Sequence, residues 1–266
     1  MSITTLDQLI AGMRPATDFY KSITPTLVAS RPHSLFYLGG LPGAATASSA
    51  GLSGEALTSY AGQLPYGNPV SGSSYLARFQ GQATIAGTLL LCDRLWQNSG
   101  ITITSTGSQT ITSAAFPARD NNGSTNGEGV LVGVEVSAAT GAGTPTLTLG
   151  YTNSDGTNSR TATNLYATLA SSAIGAFYPF GLQAGDKGVR SIETYQQSAT
   201  WTSGTIHLVA YRVLSRLDLG ATPINAIDAL VGGMPRAYDN TVPFLIFIPS
   251  TTTASYISGH VIWSHG

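Results

Sequence analysis

The side chains that could carry acid–base, metal or nucleophilic chemistry are few and lie far apart in the sequence. The histidines are His33, His207, His260 and His265, and the single cysteine is Cys92. His207 stands inside a run that is apolar on both faces, which predicts a core histidine with one hydrogen-bonded ring nitrogen. His260 and His265 have opposite parity, so a regular strand cannot direct both at one metal ion. A metal ion shared between symmetry-related copies is the alternative that this parity leaves open.

The cysteine is predicted to be a buried thiol. Cys92 ends the apolar run Leu89–Cys92, where a small sulfur-bearing side chain is typical of a packed core rather than of a nucleophile. A single cysteine also excludes an internal disulfide framework.

The acidic residues form one local cluster, between Asp120 and Glu128. Its opening, Asp120–Ser124, is spaced like the start of a calcium loop, but Thr125 stands where that loop needs glycine, and the closing glutamate is missing. The cluster is therefore predicted to be a polar turn. Spacing does not exclude a pair of glycosidase carboxylates, which come from distant positions, although 13 acidic residues are few for a groove lined by them. The sequence predicts no catalytic residue, no metal site and no cofactor.

The basic residues are ten arginines and only two lysines, Lys21 and Lys187. Several arginines stand beside or inside apolar strands, as in Asp93-Arg94, Arg212 and Arg216–Asp218. Arginine forms planar, bidentate pairs and is enriched in interfaces where lysine is depleted. These residues therefore predict either a single buried ion-pair network or a set of interface residues.

The composition narrows the class of protein. Only 9% of the 266 residues are charged, against about 25% in an ordinary soluble domain, and the net charge is −1. The low net charge excludes disorder, and 12 basic against 13 acidic residues leave no surplus for nucleic acid. The longest apolar runs are far below the roughly 20 residues that cross a bilayer, and no leader is visible, which predicts folding in a cytoplasm with no membrane partner.

The apolar pattern alternates with period two over most of the chain, which predicts an all-β fold of the β-sandwich or jelly-roll kind. Strands are predicted over Tyr75–Gln80, Thr88–Trp96, Ile101–Thr104, Val130–Val136, Leu147–Tyr151, Val189–Gln196, Ile206–Val213, Pro243–Ile248 and Tyr256–Trp263. Three short helices are predicted as exceptions, over Thr4–Met13, Asn164–Ser171 and Thr222–Leu230.

The stretch Gly39–Ser74 is rich in Gly, Ala, Ser and Pro and has few large side chains. Its apolar anchors would contribute several kcal/mol at about 25 cal/mol per Å2, against about 1–2 kcal/mol per residue for ordering the backbone. The sequence therefore predicts a long arm that is poorly packed in the isolated subunit. The predicted division is residues 1–74, the N-terminal helix and arm, and residues 75–266, the β-sandwich domain.

Three stretches, Gly185–Ile192, Ser198–Ile206 and Leu208–Arg212, resemble a pattern in virion structural proteins of tailed bacteriophages. The segments Thr5–Ile10, Asp93–Trp96 and Tyr151–Thr161 are similar to the same group. The resemblance implies a capsid-decorating, or cement, protein: a β-sandwich homotrimer seated on the major capsid protein of a bacteriophage head. It implies a location in the virion and carries no catalytic residue to this chain.

Two other functions use the same β architecture. A tail tube or receptor-binding fibre protein is the first alternative, and a glycan-degrading enzyme is the second. Carboxylates opposed across a cleft would favour the enzyme, whereas a flat apolar patch would favour a structural protein that contacts copies of itself.

Overall fold

The computed structural model describes residues 3–23 and 27–266, and confirms the all-β class. Among these residues lies one α-helix, α1 (Leu6–Ala11). The strands are β1 (Thr17–Ile23), β2 (His33–Ser34), β3 (Gly40–Leu41), β4 (Glu55–Ala56), β5 (Ser74–Ala83), β6 (Gly87–Gln97), β7 (Gln109–Thr110), β8 (Val130–Ala138), β9 (Leu147–Asn153), β10 (Arg160–Asn164), β11 (Phe177–Gly181), β12 (Val189–Gln197), β13 (Thr205–Leu219), β14 (Asn225–Asp228), β15 (Arg236–Ala237), β16 (Pro243–Pro249) and β17 (Ser255–His265).

The predicted N-terminal helix is confirmed, with Thr5 as its cap. The Thr5 hydroxyl accepts the Gln8 backbone N–H while the Gln8 side chain accepts the Thr5 backbone N–H, so two unpaired donors of the first turn are satisfied together. Gly12 ends the helix. Among the described residues, no helix has the length and apolarity that a membrane crossing requires.

The chain forms two compact units. Unit 1 contains the described residues of Met1–Ala45, Ser59–Asp93 and Val213–Gly266, and unit 2 contains Thr46–Thr58 and Arg94–Arg212. The division therefore falls inside β6 and inside β13. Residues 59–93 form a continuous part of unit 1 that extends across the predicted boundary at residues 74 and 75.

Unit 1 is built around an antiparallel sheet in the order β14-β5-β17-β1-β3, with β15 also paired to β5. β16 pairs with β2 and with the first part of β6. Side chains of alternate parity point inward from these strands, and Phe19, Phe79 and Ile257 lie in the buried core.

Unit 2 pairs β8 with β11 and with the first part of β13, and pairs β9 with β10 and β12. Its core contains the valines of β8 and the large aromatic side chains of Trp96, Tyr151, Tyr195 and Trp201, all without exposed surface. The alternation that predicted β8 thus places its valine face in the core.

Eight of the nine predicted strands are present, and the exception is Ile101–Thr104. Its backbone groups bond to side chains and to single backbone groups instead of to a neighbouring strand. Thr102 exchanges two hydrogen bonds with the Gln109 amide, and the Ile103 carbonyl accepts from Gln197 Nε2 and from the Trp201 backbone N–H. Ile103 is buried, as its apolar side chain predicts, but the segment does not pair with a neighbouring strand.

The helix predicted over Thr222–Leu230 is wrong. Asn225–Asp228 form β14 and pair with β5. Ile224 and Leu230 are exposed, so the apolar spacing of three does not define a buried helical face. The weaker helix over Asn164–Ser171 is also wrong, because Asn164 ends β10 and its amide bonds to Leu147 and Tyr166, which holds the chain out of a helix.

The arm is packed better than its composition predicts. Leu57 is buried in unit 2 and its N–H donates to the Leu95 carbonyl, while Leu64 is buried in unit 1 and its N–H donates to the Pro243 carbonyl. The buried ammonium of Lys21 donates to the carbonyls of Leu38 and Pro42 at 2.8 and 2.7 Å. Backbone hydrogen bonds to strands, together with this lysine, supply order that counting apolar anchors leaves out.

Candidate interaction surfaces

The histidine predicted to lie in the core does so, with more hydrogen bonding than expected. His207 on β13 is fully buried, its Nδ1 lies 2.6 Å from the Asn98 carbonyl oxygen, and its Nε2 lies 2.7 Å from the Ser137 hydroxyl. Burial lowers the pKa of His207, although the Asn98 carbonyl acts in the opposite direction. Both ring nitrogens are thus engaged in holding β13 to its neighbours.

The remaining histidines and the cysteine do not come together as a set of metal ligands among the described residues. Cys92 is fully buried, and burial together with the Asp93 charge raises the pKa of its thiol. His33 is buried, accepts the Val28 N–H at Nε2, and has its pKa lowered by burial to about 4. Across the described part of the chain, no three His, Cys, Asp or Glu side chains come close enough to hold a metal ion together.

The acidic cluster is a turn whose backbone N–H groups donate to the carboxylate of Asp120. The Asp120 carboxylate accepts backbone N–H groups from Asn122, Ser124, Gly127 and Glu128, and also the Ser124 hydroxyl at 2.7 Å. Burial raises the pKa of Asp120, but these hydrogen bonds outweigh it and the net shift is downward. The carboxylate oxygens serve the turn, as expected for a structural loop.

The arginines that the sequence groups together differ in burial: Arg94 and Arg212 are buried, whereas Arg216 is exposed. Arg94 and Glu135 make an ion pair of 2.6 Å with no exposed surface on either side chain. Arg216 pairs instead with Asp218, two residues along β13, and both side chains are about two-thirds exposed at 66% and 68%. Only the face of β13 that carries Arg216 and Asp218 is exposed here, since Leu217 and Leu219 are buried, so this ion pair is not part of a buried network.

A polar cluster that the sequence did not reveal converges on Asp186. The Asp186 carboxylate accepts the Tyr151 hydroxyl, the Asn153 amide at 2.7 Å and two guanidinium N–H groups of Arg160 at 3.0 Å. These partners stand 26 to 35 residues from Asp186, so no local spacing signals the cluster. It anchors the Gly185–Ile192 stretch to β9 and β10.

The first exposed apolar surface lies on α1 and on the loop after β14. Leu6 and Ile10 are one helical turn apart on α1 and half exposed, while Leu230 and Val231 are 78% and 83% exposed. Leu6 and Leu230 border one groove of about 230 Å3, whose other lining residues are Ile3, Thr4, Thr5, Leu9, Ala229 and Met234. None of the described residues that line this groove has a charged side chain. We call Leu6, Ile10, Leu230 and Val231 the α1 patch.

The second exposed apolar surface lies on the outer face of the unit 1 sheet. Tyr20 on β1 is opposite Leu41 on β3, and the rings of Tyr20 and Tyr256 are stacked with centroids 5.9 Å apart. Tyr20, Leu41 and Tyr256 are exposed, whereas the neighbouring Phe19 and Ile257 point into the core. We call these three exposed residues the tyrosine patch. The α1 and tyrosine patches together hold seven of the twelve exposed large hydrophobic residues in the described part of the chain.

No protein-family model matches the sequence, and no curated protein matches it. The structure has weak similarity to viral capsid proteins. The VP2 subviral particle of infectious bursal disease virus is 9% identical, with 96% of this chain and 81% of that chain covered and a TM-score of 0.19. The structure of the Gt strain of the same virus is 10% identical, with 95% and 82% covered and a TM-score of 0.17. At this level the similarity assigns no residue a role.

Proposed function

We propose that the protein is a structural subunit of a virion that acts through contacts between copies of itself and performs no catalysis. The observation that carries the proposal is the pair of exposed apolar patches on unit 1. Large contiguous apolar patches are rare on monomeric soluble proteins, and such a patch marks a site of association. The low charge of the chain agrees, because charged residues are depleted at the centre of interfaces.

Two separate patches suit a cyclic assembly. In a ring, each subunit contacts its neighbour head to tail, so two different surfaces of one chain meet. Complete burial of one leucine, isoleucine or valine side chain is worth about 1.5–3 kcal/mol. Because the α1 patch has four such side chains, covering it would contribute several kcal/mol at each contact. We propose a homotrimer in which the α1 patch of one copy packs on the tyrosine patch of the next.

The non-catalytic character is supported by how the reactive side chains are used. The cysteine and His33 and His207 are buried, and the Asp120 carboxylate is saturated by its own turn. The finer assignment, a decoration protein bound to the major capsid protein of a bacteriophage head, rests on the resemblance of Gly185–Arg212 to tailed-phage virion proteins.

The test is the solution mass of the full chain at micromolar concentration and physiological salt. We expect a trimer. A Leu230→Ser, Val231→Ser double variant and a Tyr20→Ser variant should both shift the mass toward the monomer, with unchanged circular dichroism. Leu165→Ser is the matched control, because Leu165 is an exposed leucine of unit 2 outside both patches. A monomeric wild type, or a control that dissociates equally, contradicts the proposal.

The location is tested separately by mixing the protein with capsid shells of the parent particle that lack it. Saturable binding to the shells, seen as added density in an electron-microscopy map, is the expected result. Density on the tail instead would replace the head assignment with the tail alternative.

A further inference from the structure

Unit 1 also holds a polar groove near the end of β17, separate from the two apolar patches. Its volume is about 450 Å3, within the range of pockets that hold small ligands. The side chains that bring chemistry to it are Arg14, Gln63, Tyr66, Trp263 and His265. We call it the Trp263 groove.

The charged side chain among the described residues that line the groove is that of Arg14, which is positive. The Arg14 backbone N–H donates to the Trp263 carbonyl at 2.8 Å, which places Arg14 beside this strand, and the Arg14 side chain is exposed. None of the acidic residues that the structure describes lines the groove. Burial, and then the Arg14 charge, lower the pKa of His265, so that ring is neutral near pH 7. A single positive charge without an acidic partner in the groove complements a ligand that carries one negative charge.

The walls combine aromatic rings with hydrogen-bonding groups. Tyr66 and Trp263 meet edge to face with centroids 5.2 Å apart, and Tyr66 is partly exposed. The buried indole N–H of Trp263 has no hydrogen-bond partner among the described residues. The side-chain oxygen of Gln63, Oε1, accepts the Tyr60 backbone N–H at 2.6 Å, which leaves the side-chain nitrogen of Gln63 as a donor. An aromatic ring beside neutral donors suits a hydroxylated ring better than a flexible peptide.

Two hydrogen bonds between Asn68 and Asn240 hold the rim of the groove. The Asn68 amide donates to the Asn240 side-chain oxygen at 2.9 Å and accepts the Asn240 backbone N–H at 2.7 Å. These bonds restrict Asn68, and a restricted rim residue loses less conformational entropy on binding.

We propose that the Trp263 groove binds a carboxylate-bearing sugar unit of an acidic glycan. The Arg14 guanidinium pairs with the carboxylate, the sugar ring packs against Tyr66, and hydroxyl groups bond to Gln63 and His265. This activity is independent of self-association, since no residue of the α1 or tyrosine patch lines the groove.

The probe is a tetrasaccharide of alternating glucuronate and N-acetylglucosamine, titrated calorimetrically into the full chain at fixed ionic strength. The matched ligand is the same tetrasaccharide with its carboxylates reduced to alcohols. We expect at least tenfold weaker binding of the reduced ligand. Arg14→Gln should weaken binding of the acidic ligand by at least tenfold, whereas Arg190→Gln, an exposed arginine of unit 2, should leave it unchanged. A change in tryptophan emission on binding should disappear in Trp263→Phe, because Trp96 and Trp201 are fully buried in unit 2.

Several results overturn the proposal. These are no binding of the tetrasaccharide, equal binding of the reduced ligand, or equal losses in the two arginine variants. Tighter binding of inorganic phosphate would show a simple anion site, and tighter binding of a tetraglutamate peptide would show an acidic peptide site. Each of these outcomes leaves the trimer test unaffected.

Discussion

Arg94 Nη2 and Glu135 Oε2 lie 2.6 Å apart in the interior of unit 2, and neither side chain has exposed surface. Arg94 Nε also donates to the Gln97 side-chain oxygen at 2.9 Å. A buried pair of this kind offsets a large desolvation cost, so its net contribution is small, but removing one member leaves an uncompensated charge.

Glu135→Leu should therefore lower the free energy of unfolding by about 3–5 kcal/mol. The double variant Arg94→Met, Glu135→Leu should lose less than Glu135→Leu alone, because no unpaired charge remains. Denaturant unfolding of Glu135→Leu, of Arg94→Met and of the double variant measures the coupling energy between the two side chains. Additive losses would contradict it.

His33 should make stability depend on acid pH. Burial lowers the pKa of His33 from 6.5 to about 4, so between these values the unfolded chain takes up a proton that the folded chain does not. Its contribution is complete above pH 6.5 and is lost as the pH falls toward 4, by about 3 kcal/mol. His33→Gln should flatten the decline over this range. An unchanged slope in the variant would show that other groups cause it.

Lys21 should act at the opposite end of the pH scale. Burial lowers the pKa of Lys21 from 10.5 to about 8, so the folded chain releases this proton before the unfolded chain does. The free energy of unfolding should therefore rise between pH 8 and pH 10.5 through this group. Lys21→Met removes the titration, and the pH-dependent rise should shrink relative to wild type. An identical rise in both proteins is the contrary result.

Asp120→Asn should destabilise unit 2. The asparagine side chain keeps the shape but has one carbonyl oxygen in place of two charged acceptors, so several turn N–H groups lose their partner. The expected loss is about 1–3 kcal/mol. Asp155→Asn is the control, since Asp155 is exposed in another turn. Thermal unfolding of the two variants should separate them, and equal losses would contradict the role given to Asp120.

The sequence predicted the parts of the fold that depend on periodic burial. Alternation identified β8, and a run that is apolar on both faces identified the centre of β13, where side chains of both parities are buried. Periodicity failed at Ile224 and Leu230, which lie on the surface; Leu230 belongs to the α1 patch and follows no buried period. The residue type alone does not show whether an apolar side chain packs in the core or lies on the surface where a partner would cover it.

The polar contacts were less predictable. The Asp120 turn could be identified because all its donors lie within eight residues of the carboxylate. The Asp186 cluster and the Trp263 groove could not, because strand pairing brings together residues from distant parts of the chain. Arg14 and Trp263, for example, are 249 positions apart in the sequence.

The buried thiol of Cys92 on β6 can be used to measure how often this part of the fold opens. Cys92 is the sole cysteine and has no exposed surface, so a thiol reagent has one possible target per molecule and cannot reach it in the folded protein. The rate of labelling therefore reports how often the surroundings of β6 open. When assembled and dissociated subunits are labelled side by side, the ratio of their rates measures how strongly neighbours suppress that opening.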